Sequence, residues 1–173
     1  AVLIENKFEI TDEMRTVSEQ LFIPELDLFS NCRKRMHILR VMRDFPVTLF
    51  GKCDVLRDQF PRLTVHPPVT YRELAGPLSR SKVALNIMPE YYRGSHERMF
   101  DAMLSGAALV TNVSSFLGED YRDGESVRYY QSAVADDLPE IINSLLSNDH
   151  YRQTLTRSAA AISRPLRAVL IAV

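Results

Sequence analysis

The sequence has few cysteines and no pattern of a disulfide framework. Its 173 residues include two cysteines, Cys32 and Cys53, and no C-x-x-C pair, so neither a disulfide scaffold nor a zinc or thioredoxin-like site is indicated. We therefore expect a reducing, cytoplasmic environment. The length, with 46% hydrophobic and 25% charged residues, is that of a globular domain of ordinary size. These values exclude a disordered chain, a collagen-like repeat and a coiled coil.

An excess of charge and a long apolar run are also missing. Lys plus Arg number 21 and Asp plus Glu 22, so neither a nucleic acid nor an anionic membrane surface is indicated as a partner. No apolar run approaches the roughly 20 residues of a spanning helix, and the opening residues lack the pattern of a signal peptide. Because the first residue is not Met, we expect a piece of a longer protein.

Several catalytic and nucleotide motifs are absent. Without G-x-G-x-x-G, a nicotinamide or flavin dehydrogenase is not expected, and without G-x-S-x-G an α/β-hydrolase is not. Residues 51–53 lack the rest of a P-loop. There is no Asp-x-Asp, and no ligand spacing relates the four histidines, so we expect neither a metal nor a cofactor. The histidines are His37, His66, His96 and His150.

Short β-rich runs alternate with helical patterns along most of the chain. This alternation is typical of βαβ units, in which right-handed crossovers place helices on both faces of a parallel sheet. We predict an α/β fold, a Rossmann-like doubly wound, mostly parallel sheet of about five strands. Two helices are expected before the first strand, with a break at Pro24 between them. The expected strands are 47–51, 63–65, 82–88, 107–111 and 126–130, and the later helices are 71–80, 96–105, 138–146 and one from about 149.

One loop has the composition of an anion site. In open parallel sheets ligands bind beyond the carboxyl ends of the strands, and residues 89–98 connect such an end to a helix. Gly94 and Ser95 allow close backbone approach at the helix start, where free N–H groups favour an anion. Arg93 and Arg98 add charge suited to phosphate oxygens. A diphosphate is the expected occupant.

A purely structural interpretation of the same residues stays open. Junctions with Gly, Ser and Arg occur in many α/β proteins without a ligand. His96 would then cap or pack the helix, and Arg98 would pair with Asp101 or Glu97 on that helix. The Tyr91 side chain either stacks on a base or sugar, or lies half in the core and half at the surface.

Residues 94–111, GSHERMFDAMLSGAALVT, resemble the donor-binding half of GT-B glycosyltransferases. The resemblance is closest to "glycosyl transferases group 1" C-terminal domains of the spore-maturation-protein type. These domains share an Arg-x-Phe-Glu/Asp-Ala helix and a Gly-Ala turn into an apolar strand. Residues 116–127 are similar to the family's downstream segment with its Asp-Gly-Glu turn. The resemblance covers about 33–160 and implies one half of a GT-B fold with extra helices at both ends.

The resemblance implies roles for particular residues. Gly94, Ser95 and His96 would contact the diphosphate of a nucleotide sugar, with Arg98 as a charge partner. Asp101 resembles the carboxylate that holds the ribose hydroxyls. The nucleobase would lie near the ends of the first two strands, around Gly51 and from His66 to Val69. The Glu-x7-Glu pair of retaining relatives is absent, because its first Glu would fall at Arg93, and the stereochemical outcome stays open. Further candidates are Gly51, Tyr91 and Glu97.

The expected function is transfer of a sugar from a nucleotide-diphosphate sugar, such as a UDP-sugar, to an unknown acceptor without a metal. The resemblance implies a separate N-terminal acceptor domain. We divide the chain into a helical or connecting segment 1–30, a nucleotide-sugar-binding domain 31–164 and a tail 165–173. The alternative is a non-catalytic nucleotide-binding or regulatory α/β domain. A receiver-like domain is disfavoured, because the first and third strands end without an acidic cluster.

Overall fold

The computed structural model describes residues 11–88, 94–131 and 134–170. They belong to two compact units that divide between His37 and Ile38. The division at residues 30 and 164 stays a prediction. The helices are α1 (Asp12–Val17), α2 (Ile23–Val41), α3 (Tyr71–Arg80), α4 (Glu97–Leu104), α5 (Ser115–Asp120), α6 (Leu138–Ser147) and α7 (Asp149–Leu170), with a π-helical segment Ser18–Phe22 and a 3-10 turn Asp54–Leu56.

The chain is helical throughout residues 12–41, so the break expected at Pro24 is wrong. Thr11 caps α1, where its side-chain oxygen accepts a hydrogen bond from the Met14 N–H at 3.2 Å. The π-helical segment follows α1, and Pro24 is the second residue of α2. Proline cannot donate a backbone hydrogen bond, and the helix continues through Pro24 directly after the change from π to α geometry.

Five strands lie in the described residues, and every pairing between them is parallel. β1 (Val47–Phe50) pairs with β2 (Leu63–His66), and β4 (Ala108–Asn112) lies between β3 (Val83–Asn86) and β5 (Arg128–Tyr130). Helices connect successive strands of the three-stranded sheet. The α/β class and parallel strand arrangement expected from the sequence are confirmed, with the strands in hydrogen-bonded groups of two and three.

β4 is the centre of the hydrophobic core. All five of its residues are buried, and alternate side chains belong to different clusters. Ala108 and Val110 pack with α6, whereas Leu109 packs with Met99 and Met103 of α4. Because successive side chains of a strand point to opposite faces, this division places α6 and α4 on opposite faces of the sheet.

α4 meets β4 through a tight turn. The helix ends at Leu104, and Gly106 follows with a φ of 86°. This left-handed conformation favours glycine and is common just after a helix. The turn puts α4 directly against the strand that follows it, so the position of the helix start depends on the packing of β4.

Three tyrosines join β5 to the rest of the core. The Tyr129 hydroxyl donates to the Tyr121 carbonyl at 2.9 Å, and the Tyr121 and Ser163 hydroxyls are 3.0 Å apart. Burial is the main cause that raises the pKa of Tyr129 to about 12, and the Asp123 carboxylate adds to it. Burial also raises the pKa of Tyr130 and of Tyr121.

We expect these tyrosines to make the fold sensitive to alkali. A phenol whose pKa is raised on folding contributes stability that is complete below its unfolded pKa of about 10 and is lost as the pH rises through the folded value. For Tyr129 that window runs from about pH 10 to about pH 12. The check is tyrosinate absorbance recorded together with circular dichroism during an alkaline titration. Ionisation of all seven tyrosines near pH 10 with the fold intact would contradict the prediction.

Candidate functional site

The carboxyl ends of β3 and β4 are joined by a buried amide. The Asn112 side chain accepts a hydrogen bond from the Met88 N–H at 2.8 Å and donates to the Met88 carbonyl at 2.9 Å. Asn112 is 2% exposed and Met88 is 3% exposed, so water cannot replace these bonds. The amide therefore holds the backbone where the chain leaves β3.

A second bond holds the far end of the same loop. The Ser114 hydroxyl, itself buried, donates to the Gly94 carbonyl at 2.7 Å. We call Asn112 and Ser114 the loop clamp, since they bind the backbone on both sides of residues 89–93. The predicted site residues Tyr91 and Arg93 lie outside the described residues. The loop clamp was not identified from the sequence, where its only signal was two polar residues at the end of an apolar run.

His96 organises the start of α4. It is the N-cap residue, and its Nδ1 accepts hydrogen bonds from the Arg98 backbone N–H at 3.3 Å and from Arg98 Nε at 3.4 Å. Nδ1 also lies 3.7 Å from a Glu97 carboxylate oxygen, which is an ion pair only when the ring is protonated.

Arg98 does not form the ion pair considered as the structural alternative. Within the described part of the chain, its guanidinium bonds to His96, and it has no ion pair with Glu97 or Asp101. The half-buried Asp101 lies one turn along α4, and its carboxylate has no hydrogen-bond or ion-pair partner among those residues. One cation and one carboxylate are therefore available to a ligand on α4.

The β1–β2 pair ends at the same kind of edge. Gly51 follows β1, and its N–H donates to the His66 carbonyl at 3.0 Å. The His66 ring stacks on Phe50, with centroids 5.1 Å apart and planes 19° from parallel. His66 is exposed, so this ring pair offers a flat surface beside Gly51. His66 lies where the nucleobase was expected from the resemblance, whereas its stacking on Phe50 was not predicted.

The remaining predicted site residues lie beside the His96 cap at the start of α4. Gly94 and Ser95 directly precede the His96 cap and are half-buried, whereas Glu97 is the exposed first residue of α4.

Over the ranges that the structure covers, no three His, Cys, Asp or Glu side chains come together as a possible metal site. In those same ranges no helix is both long and apolar enough to cross a membrane.

Comparison with known proteins gives a family and a fold. The model of a family described as "Glycosyl transferase-like" matches residues 33–168. Among proteins with a curated description, none matches the sequence. The structure is similar to HepE from Anabaena, solved in complex with UDP-glucose, with a TM-score of 0.59 and 12% identity over 80% of this chain. It is also similar to TarM, with a TM-score of 0.58 and 16% identity over 77% of this chain.

The chain corresponds to part of each similar structure. It spans 45% of the HepE chain and 28% of the TarM chain. A second HepE structure, solved with UDP and glucose, has a TM-score of 0.54 and 13% identity over 83% of this chain, which spans 53% of it. At these identities the likeness shows the fold.

Proposed function

We propose that this chain, which belongs to the glycosyl transferase-like family, binds a nucleotide-diphosphate sugar. It would do so as one half of a GT-B-type glycosyltransferase. The observation that carries this proposal is the start of α4 at the carboxyl edge of the sheet, with Arg98 and Asp101 on the same helix and the preceding loop held by the loop clamp. The HepE complexes with UDP-glucose and with UDP and glucose support a UDP-sugar as the donor.

The diphosphate would bind at the helix start. The N–H groups at a helix start carry partial positive charge, which favours phosphate oxygens, and here the His96 cap already occupies the Arg98 N–H. Gly94 and Ser95 lead into this turn without bulky side chains. The Arg98 guanidinium, oriented by His96, adds a full charge. The buried loop clamp fixes the backbone at Met88 and at Gly94, the described residues on either side of this approach.

Asp101 and the β1–β2 edge would receive the nucleoside. A carboxylate accepts two hydroxyl hydrogen bonds, which matches the two hydroxyls of a ribose. Asp101 is available for this role because it is half-buried and unpaired among the described residues. The stacked Phe50 and His66 rings beside Gly51 suit a flat nucleobase.

The chemistry is the departure of a nucleoside diphosphate from the sugar. The glycosidic C–O bond breaks, its electron pair goes to the diphosphate, and the acceptor oxygen forms the new bond while losing its proton. Backbone N–H groups and Arg98 would stabilise the charge that develops on the leaving oxygen. We propose that this occurs without a metal and that the acceptor binds to a part of the protein outside this chain.

Calorimetric titration of the chain with UDP, UDP-glucose, GDP and ADP, with and without EDTA, tests the proposal. We expect UDP-type ligands to bind and EDTA to leave the affinity unchanged. Loss of binding with EDTA would contradict metal independence. Binding of nucleotides without sugar transfer by the longer protein would instead support the alternative, a regulatory nucleotide-binding domain.

Arg98→Ala is expected to weaken UDP binding by about 1.5–3 kcal/mol, which is a factor of about 10–150, because a charge-assisted hydrogen bond is lost. Asp101→Asn should weaken UDP but leave inorganic pyrophosphate unchanged, since pyrophosphate has no ribose. The matched control is Arg62→Ala, an exposed arginine directly before β2 and thus at the amino edge. Equal loss of UDP and pyrophosphate in Asp101→Asn would exclude the ribose role.

A further inference from the structure

A cavity of about 250 Å³ lies at the amino edge of the three-stranded sheet, away from the proposed donor site. It is formed where α3 leads into β3, where α4 leads into β4, and by the start of α7. None of the residues assigned to donor binding lines it. Its basic residues are Arg80, Lys82 and Arg152, and its polar residues include Ser79, Gln153 and Thr156.

Arg152 is a fixed cation in the wall of this cavity. Its side chain is 11% exposed. One terminal nitrogen donates to the Leu145 carbonyl at 2.7 Å, and the other contacts an Asp149 carboxylate oxygen at 2.6 Å. These two bonds hold the guanidinium in one orientation, so little side-chain entropy remains to be lost when a ligand binds.

The other two cations are only partly neutralised. Lys82 Nζ lies 3.8 Å from the same Asp149 oxygen that contacts Arg152. Both cations lower the pKa of Asp149, with Arg152 the larger cause, so this carboxylate is ionised at neutral pH. Arg80, in the exposed last position of α3, has no hydrogen-bond or ion-pair partner in the described residues. The wall thus holds three cations, of which Lys82 and Arg152 contact the one carboxylate, Asp149.

We propose that this cavity binds a phosphate group, either inorganic phosphate or the phosphate of a lipid headgroup. An excess of two positive charges matches the charge of a phosphate dianion. Arg guanidinium groups present planar N–H donors that suit its oxygens. The Gln153 side-chain NH2 supplies neutral donors at the same wall, whereas the Ser79 and Thr156 hydroxyls already donate to the Gly76 and Gln153 carbonyls. The site does not depend on the proposed donor chemistry, because it lies on the opposite edge of the sheet.

The test is a two-dimensional amide NMR titration of the chain with inorganic phosphate, against chloride at the same ionic strength. We expect saturable shifts at Ser81, Gly106 and Thr156. The variant Arg80→Gln/Lys82→Gln should weaken binding at least tenfold. Arg72→Gln, which removes an exposed arginine from the first turn of α3, is the matched control and should bind as the parent does. Both substituted cations are exposed, so the fold is expected to persist.

Vesicles of phosphatidylcholine with and without phosphatidylglycerol distinguish the two sources of phosphate. Sedimentation of the chain with the anionic vesicles, lost in the double variant, would assign a lipid headgroup. Saturable phosphate binding without sedimentation would assign free phosphate. Non-saturable shifts at both sheet edges, or phosphate binding that the double variant retains, would overturn the proposal. Failure to bind either probe would also overturn it, and the cations would then serve only to neutralise the carbonyl end of α3.

Discussion

Asn112→Leu is expected to lower the free energy of unfolding by about 2–6 kcal/mol. The substitution removes both hydrogen bonds of the Met88 backbone, and each buried polar group left without a partner costs about 1–3 kcal/mol. Leucine has as many side-chain heavy atoms as asparagine and is larger, so no cavity forms, and lost hydrogen bonds with some crowding account for the change. Urea denaturation followed by circular dichroism measures the change. The nucleotide affinity should fall as well, because the loop before α4 loses its attachment to β4.

The matched control is Asn143→Leu, the same substitution at an exposed position of α6. Surface changes of this kind usually stay within about 0.5 kcal/mol. If Asn112→Leu unfolded at the same urea concentration as the control, the buried amide would not be a structural requirement of the site. If Asn112→Leu kept its stability but lost nucleotide binding, the buried amide would position the loop without stabilising the fold.

Leu145→Ala is expected to destabilise the fold by about 2–5 kcal/mol, the usual cost of truncating a buried leucine. Leu145 is 0% exposed and belongs to the cluster that includes Ala108, Val110 and Leu138. This cluster joins α6 to one face of β4, so the cavity would open beneath the central strand. Thermal and urea denaturation give the change in the free energy of unfolding.

The neighbouring Leu146→Ala serves as the control, because Leu146 is half-buried and packs at the edge of the same cluster. In Leu146→Ala the free energy of unfolding should fall by less, about 1 kcal/mol, because less apolar surface is buried at that position on folding. Equal effects of the two substitutions would show that the α6–β4 contact is loosely packed. A larger effect at Leu146 would reverse the assignment of the buried face.

The sequence predicted the elements whose pattern is set by local periodicity. In α6 the spacing of five apolar residues indicated a buried face; four of them are buried and Leu146 is half-buried. The five are Leu138, Ile141, Ile142, Leu145 and Leu146. α3 has the predicted bounds, because Thr70 and Glu73 form a capping box at its start. β4 was recognised as an apolar run, which is typical of strands covered on both faces.

The features that the sequence did not predict depend on distant contacts. Asn112 bonds to a residue 24 positions earlier and Ser114 to one 20 positions earlier, so no local spacing reveals the loop clamp. Pro24 was expected to break a helix, but a change to π geometry before it cannot be read from propensities. Whether Arg98 bonds to His96 or to Asp101 depends on the orientation of the His96 side chain, which residue spacing does not reveal.

The parallel strand order also sets the order in which the chain can fold. A parallel pair cannot be joined by a tight turn, and the β3–β4 register brings together Val83 and Ala108 across an intervening helix. With every described pairing parallel, none of the ladders can begin as a hairpin, and each needs loop closure before its contacts stabilise it. We therefore expect folding to be slower than in helical bundles of similar size, with helix formation before assembly of the sheet.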